Sequence, residues 1–248
     1  MYLEHINSPS DLRRLSYEEL DGLASELRAF IVDTVTVTGG HLGSNLGAVE
    51  LTLALHRVFD SPKDILLWDT GHQAYVHKLV TGRRGAFATL RQEGGLSGYP
   101  NRAESEHDWV ENSHASTILS YAHGLATAQG VLGEPERRIV AVVGDGSLTG
   151  GMAYEALNNL GHSGCKVIII LNDNGRSYAP TVSRLSQSLT KIRLHPGLKS
   201  VRARIEEGLR DLPGVGNLAY SSLQGLYSAA PARARSMPSM SWPSMGPV

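Results

Sequence analysis

The chain has 248 residues, enough for one large α/β domain with its own core. Its 23 Lys and Arg nearly balance 24 Asp and Glu, so a net charge of -1 offers no strong field to nucleic acid or an anionic membrane. No apolar run reaches the roughly 18 residues a membrane helix needs. The opening MYLEHINSPSDLRRLS lacks a basic region followed by an apolar core, and the single Cys165 cannot form an internal disulfide, so a cytoplasmic setting is expected.

In chain order, Ser8-Pro9-Ser10-Asp11 is a capped start, and Ser16 with Glu19 forms a capping box for a helix reaching about Thr38. Gly39 to Gly47 is glycine-rich and predicts a loop, Ala48 to Phe59 a second helix, and Ile65 to Trp68 a short buried strand. Gly71 to Thr81 predicts a helix starting at that strand's end. Arg84 to Asp108 is long, polar and Gly-rich, and a loop of that length favours a functional role. Within it, Glu104, Glu106 and Asp108 surround His107; a solvated loop and a role at the mouth of a site are weighed equally. Ala115 to Gly130 predicts a helix of small residues that packs closely.

Arg137 to Val143 (RRIVAVV) and Lys166 to Leu171 (KVIIIL) are Val- and Ile-rich runs suited to parallel strands covered on both faces. Between them, Gly151 to Gly161 carries apolar residues at helical spacing. Together they form a βαβ unit. The fold class is therefore α/β, a parallel sheet with helices on both faces. Val201 to Leu212 predicts an amphipathic helix. Pro231 to Val248 has four prolines and no acidic residue and builds no regular element. The expected organisation is one domain over residues 1–230 and an irregular tail over 231–248.

In such a sheet ligands bind beyond the carboxyl ends of the strands. Gly144-Asp145-Gly146 follows one strand and Asn172-Asp173-Asn174 the next. Asp145 supplies a hard anionic oxygen and Asn174 a neutral carbonyl oxygen, ligands that Mg²⁺ takes together with phosphate oxygens. The flanking glycines let backbone approach an anion, and the following helix adds its N-terminal N–H groups. The pattern reads as a metal-bridged diphosphate site. There is no Cys/His cluster with zinc spacing, and the lysine-bearing glycine loop of nucleotide triphosphatases is absent.

Asp145 to Asn174 resembles the thiamine diphosphate signature, which opens with Gly-Asp-Gly and closes with Asn about thirty residues later. Thr38-Gly39-Gly40-His41-Leu42, Asn45-Leu46-Gly47, Val49-Glu50-Leu51-Thr52, WDTGHQAYVHKLVTGRR from Trp68, GGLSGYPNRAESEHD from Gly94 and GDGSLTGGMAYEALNN from Gly144 extend the likeness. By these the chain resembles the 1-deoxy-D-xylulose-5-phosphate synthases from residue 1 to about residue 230. Gly175-Arg176-Ser177-Tyr178-Ala179-Pro180 is similar to the form of actinobacterial members.

The resemblance implies a thiamine diphosphate-binding, transketolase-like domain with Mg²⁺, and a decarboxylative joining of pyruvate and glyceraldehyde 3-phosphate that feeds isoprenoid, thiamine and pyridoxal biosynthesis. It implies that His41 lies by the reacting centre as a proton shuttle, a role that suits imidazole near neutral pH. It further implies cofactor contacts from His72, Ser113, His114, Ala115, Gly144, Gly146, Ser147 and Asn174, and metal ligation by Asp145, Asn174 and the backbone carbonyl of Arg176. His77 is expected to be structural. Glu111-Asn112-Ser113 stands where the family usually has Gly-Thr-Gly, and Ser113 is strained there if its φ is positive.

Family members carry two further domains, and the glutamate that activates the cofactor belongs to one that these 248 residues do not resemble. The chain by itself is therefore expected to be inactive, and its end to mark a cut or a shift of reading frame. A homodimer or a complementing subunit is the expected partner. Two other readings stay open: one half of a transketolase-like pair, and a remnant that binds cofactor weakly or only dimerises.

Overall fold

The structure is a computed structural model and describes residues 1–133, 135 and 137–173. Ser8 opens a short helix α1 (Pro9–Leu12), and the Asp11 carboxylate accepts the Ser8 backbone N–H at 2.9 Å. The long α2 (Tyr17–Thr38) starts on the expected capping box. Glu19 N–H donates to Ser16 Oγ (3.2 Å) and Ser16 N–H to the Glu19 carboxylate (2.7 Å), which satisfies two N–H groups that the first turn leaves without partners. Gly39, at φ 75°, ends the helix.

The segment from Gly39 to Gly47 is not wholly a loop. Leu42–Leu46 closes a helical turn, α3, ahead of α4 (Val49–Val58). The helix expected over 71–81 is broken: a 3-10 turn (Gly71–Gln73), one turn of α-helix α5 (Tyr75–Lys78) and a π turn (Leu79–Arg83). The break lies at Thr81 and Gly82, whose dihedrals are non-helical. Gly82 has φ 88°, and a Cβ there would lie 2.7 Å from the Asn7 carbonyl oxygen.

Among the described residues, three parallel strands form one sheet in the order β1 (Ile65–Asp69), β2 (Ile139–Gly144), β3 (Ile168–Asn172). The register pairs Asp69 with Val143 and Gly144 with Asn172, so the three strands end at one level. The connections between successive strands carry α6 (Ile118–Leu132) and α7 (Gly151–Ser163).

β1 and the apolar part of β2 are buried on both faces, as their unbroken Val, Ile and Leu runs predict. Leu67, Ala141 and Val143 face α6 and α7 through Leu119, Ala122, Ala156 and Leu160. Leu66, Trp68, Val140 and Val142 face Leu55 and Ala74. β3 departs from expectation: Ile168 and Ile169 are 42% and 40% exposed. It is an outer strand of the described sheet.

A separate helical core packs the α2 stripe Leu23, Leu27, Ile31 and Val35, spaced four apart, against Leu12, Leu53, Tyr75 and Leu79. Full burial of each such aliphatic side chain is worth about 1.5–3 kcal/mol before entropy is counted. No helix among the described residues is long and apolar enough to cross a membrane.

Candidate functional site

The polar side chains gather at the carboxyl ends of the strands. Asp145, directly after β2, is buried, and its N–H donates to the Asn172 carbonyl at the end of β3 (3.2 Å). Gly146 leads into a 3-10 turn, Ser147–Thr149, in which Ser147 is buried. α7 then starts at Gly151 with Gly150 as N-cap and no side-chain cap. Its first N–H groups and helix dipole are thus available to an anion beside the Asp145 carboxylate. Gly144, Asp145, Gly146 and Ser147 therefore share one strand-end turn. Asn174 and Arg176 lie outside the described residues. Among those described, no three His, Cys, Asp or Glu side chains gather to hold a metal.

His41 and His72 come together. Their ring centroids are 4.7 Å apart, tilted by 53°. Buried Asn45 sets both: its Nδ2 donates to the carbonyls of His41 (2.6 Å) and His72 (2.7 Å), while its Oδ1 accepts Tyr75 N–H (2.9 Å). His72 Nε2 bonds Ser44 Oγ at 2.9 Å. Burial, then the neighbouring His41, pushes the His72 pKa down to about 4. Burial and Arg91 lower that of His41. Both rings are therefore neutral at physiological pH, each with one donor and one acceptor nitrogen.

Ser113, His114 and Ala115 are exposed and follow one another on the loop before α6. Ser113 lines a cavity of about 190 Å³ with Ser97, Tyr99, Asn101, Glu111 and Asn112. The left-handed residue of this loop is not Ser113 but Ser116, at φ 71°. That also explains why the helix expected from Ala115 begins only at Ile118. Ser116 is held by its N–H to Asp69 Oδ1 (3.0 Å) and by its Oγ–H to the Ser147 carbonyl (2.6 Å). Asp69 Oδ2 accepts Ile118 N–H (3.2 Å) as well.

Asp69, Gln73, Asn45 and Ser116 are site residues to which the sequence assigned no role. Gln73 ties two strand ends: its Nε2 donates to the Asp69 carbonyl (2.6 Å) and its Oε1 accepts Asn172 Nδ2 (3.0 Å). Asp69 and Gln73 stand inside a quoted motif, Trp68-Asp69-Thr70-Gly71-His72-Gln73, and the strand end just before them was the available signal. His77 is buried, in keeping with a structural role. A larger groove of about 660 Å³ lies along α6, where Tyr121, Gly124, Leu125 and Met152 line it, apart from the two histidines.

The fold and this convergence define a class: a parallel α/β domain with a Gly-Asp-Gly turn and a helix start without a side-chain cap at the carboxyl ends of its strands. Comparison with known proteins narrows it. The N-terminal model of the family described as 1-deoxy-D-xylulose-5-phosphate synthase matches residues 3–246, and the chain belongs to that family. It is similar to the 1-deoxy-D-xylulose-5-phosphate synthase of Mycobacterium avium (strain 104), 60% identical over 218 residues, which are 88% of this chain and 34% of that protein. The protein of the same name from Frankia casuarinae is 58% identical over 224 residues, 90% of this chain and 34% of that one. That from Corynebacterium diphtheriae is 52% identical over 245 residues, 98% and 38% respectively. The chain thus spans about a third of the length of the curated relatives it matches, and its fold is that of the thiamine diphosphate-binding, transketolase-like domains.

Proposed function

We propose that this chain carries the diphosphate- and Mg²⁺-binding part of a 1-deoxy-D-xylulose-5-phosphate synthase that joins pyruvate to glyceraldehyde 3-phosphate. The observation that carries the reading is the meeting of buried Asp145, the uncapped start of α7 and the Asn172 end of β3 at one level of the sheet. Those groups suit the cofactor: a hard carboxylate oxygen for the metal, and backbone N–H groups with a positive dipole end for a diphosphate. Gly151 has nothing within 4 Å of where a Cβ would stand, which leaves that turn open to a ligand.

In this reading Asp145, Asn174 and the Arg176 carbonyl hold Mg²⁺. Gly144, Gly146 and Ser147 shape the turn around the diphosphate, with Ser113, His114 and Ala115 on the facing loop. Bound thiamine diphosphate supplies the carbanion-stabilising chemistry. His72 orients the cofactor as a neutral hydrogen-bond partner. His41, half-buried against it, accepts or returns a proton at an imidazole nitrogen near the substrates. A homodimer or a complementing subunit in the cytoplasm is the proposed setting, in which the single Cys165 stays reduced.

The test is calorimetry of thiamine diphosphate binding with and without Mg²⁺, on the chain and on Asp145→Ala. Binding that requires Mg²⁺ and falls at least about 100-fold in the variant is the expected result, since a metal site loses one of its anionic ligands. Equal affinity in the two proteins overturns the ligand assignment.

A further inference from the structure

Two carboxylates of the acidic run in the 97–113 loop, Glu104 and Asp108, point inward, while Glu106 is exposed. Glu104 is paired with buried Lys78. The Asp108 side chain is fully buried and receives four donors. Arg83 grips it in two-pronged fashion, Nη1 to Oδ2 at 2.6 Å and Nη2 to Oδ1 at 3.0 Å. His77 Nε2 meets Oδ1 at 2.9 Å, and the Asn101 backbone N–H meets Oδ2 at 2.7 Å. Burial alone would raise the Asp108 pKa; the hydrogen bonds from His77 and Arg83 outweigh it and keep the group ionised.

An ionised carboxylate only accepts, so His77 must carry its proton on Nε2. Its Nδ1 then accepts from Nε2–H of buried His56, 2.8 Å away. His56 Nδ1 is left without a partner. A further proton has no acceptor to point at, and burial holds both rings neutral. Lys78 and Arg83 therefore balance Glu104 and Asp108, and the cluster is neutral as it stands.

The cluster fixes backbone at two points near the start of this loop. Glu104 accepts Ser97 N–H (2.7 Å) and Asp108 accepts Asn101 N–H. Between these anchors Pro100 packs on Gly71 so closely that a Cβ there would stand 2.5 Å from the proline Cδ. At the loop's far end, Asn112 accepts Gly71 N–H through its carbonyl (3.2 Å) and donates to the Trp68 carbonyl (3.0 Å). The residue after Gly71 is His72.

We infer that Asp108 is a positioning residue: clamped by Arg83 and His77, it presses the 97–113 loop onto Gly71 and thereby sets the His72 ring against His41 and Ser44. Its importance for function rests on the reading of His72 as a cofactor contact, but the inference itself concerns the chain alone.

The experiment is cofactor-free NMR of the full chain, following the imidazole nitrogens of His72 through a pH titration in the wild type, Asp108→Asn and Arg83→Lys. Amide exchange of Asn101 and Gly71, the donors of the two anchoring bonds, is measured beside methyl signals of Leu23, Leu27 and Ile31. Asp108→Asn removes the charge that Arg83 and His77 share. Exchange at Asn101 and Gly71 should quicken by about tenfold or more, as for a locally opened segment. The His72 pKa should climb from about 4 towards its ordinary 6.5 as the site loosens, with the α2 methyls unmoved. A merely structural ion pair predicts a freed loop and an unchanged His72 titration; that result, or no change in either, overturns the inference. If Asp108→Asn loses the α2 signals too, Arg83→Lys decides by the same two readouts, because it keeps the charge and removes only the two-pronged grip. Neither readout depends on cofactor, so failure here stays separable from failure of the calorimetric test.

Discussion

Histidine 72 and its neighbours show what burial does to a titrating group. His41, His56, His72, His77 and His107 are each held below the ordinary value, with burial the first cause in every case. For His56 the neighbouring His77, His107, Arg83 and Arg13 push the same way; for His77, Asp108 opposes. An unfolded chain protonates these rings near 6.5 and the folded chain only at lower pH. Between those values the unfolded state binds more protons, so stability is full above about 6.5 and is lost as pH falls towards the folded values. Asp108 adds in the same direction for a different reason: against its burial, its hydrogen bonds lower its pKa from a carboxylate's 3.8 by holding the charged form, and its contribution disappears only in stronger acid. Urea melts should give a midpoint that rises from about pH 5 to pH 7 and is level from about pH 7 to 8. A midpoint that is flat or falling over the first interval contradicts the neutral buried histidines.

At the scale of elements, the sequence-legible parts were those whose causes are local. The Ser16–Glu19 box starts α2, and the Val and Ile runs around Gly151–Ser163 build the βαβ unit. What was not legible depended on partners far along the chain. Nothing near Asp69 announces that it will accept N–H groups from Ser116 and Ile118, 47 and 49 residues on. Glu104 and Asp108 read equally well as a solvated face because Lys78 and Arg83 lie some 25 residues upstream. The left-handed residue fell three positions beyond Ser113 for the same reason: Asp69 and Ser147 impose it on Ser116.

The start of α7 makes this element-scale claim testable. Gly150 has φ -81°, which alanine adopts freely, but a Cβ there would meet Ser116 Cβ at 2.7 Å. Ser116 is tied by two hydrogen bonds and has nowhere to yield. Gly150→Ala should therefore cost about 1–3 kcal/mol, as overpacking does. Gly151→Ala, with open space around it, should be neutral or slightly stabilising. Thermal melts of the two variants give the comparison, and equal melting temperatures would show that the Ser116 clamp is softer than described.

At the largest scale, the three parallel strands among the described residues end at one level, and their ends carry Asp69, Asp145 and Asn172. Three apolar clusters among the described residues hold that level in place, one on the sheet face under α6 and α7, one on its other face with Leu55 and Ala74, and one among α1, α2, α4 and α5. The chain belongs to the family, and these strand ends are where the proposed metal and diphosphate site lies. The most direct measurement is anomalous X-ray scattering from crystals grown with thiamine diphosphate and Mn²⁺ in place of Mg²⁺, since both ions take hard oxygen ligands. The account predicts one strong manganese peak in contact with the Asp145 carboxylate at the start of α7. A peak elsewhere, or cofactor density with no metal at Asp145, would contradict it.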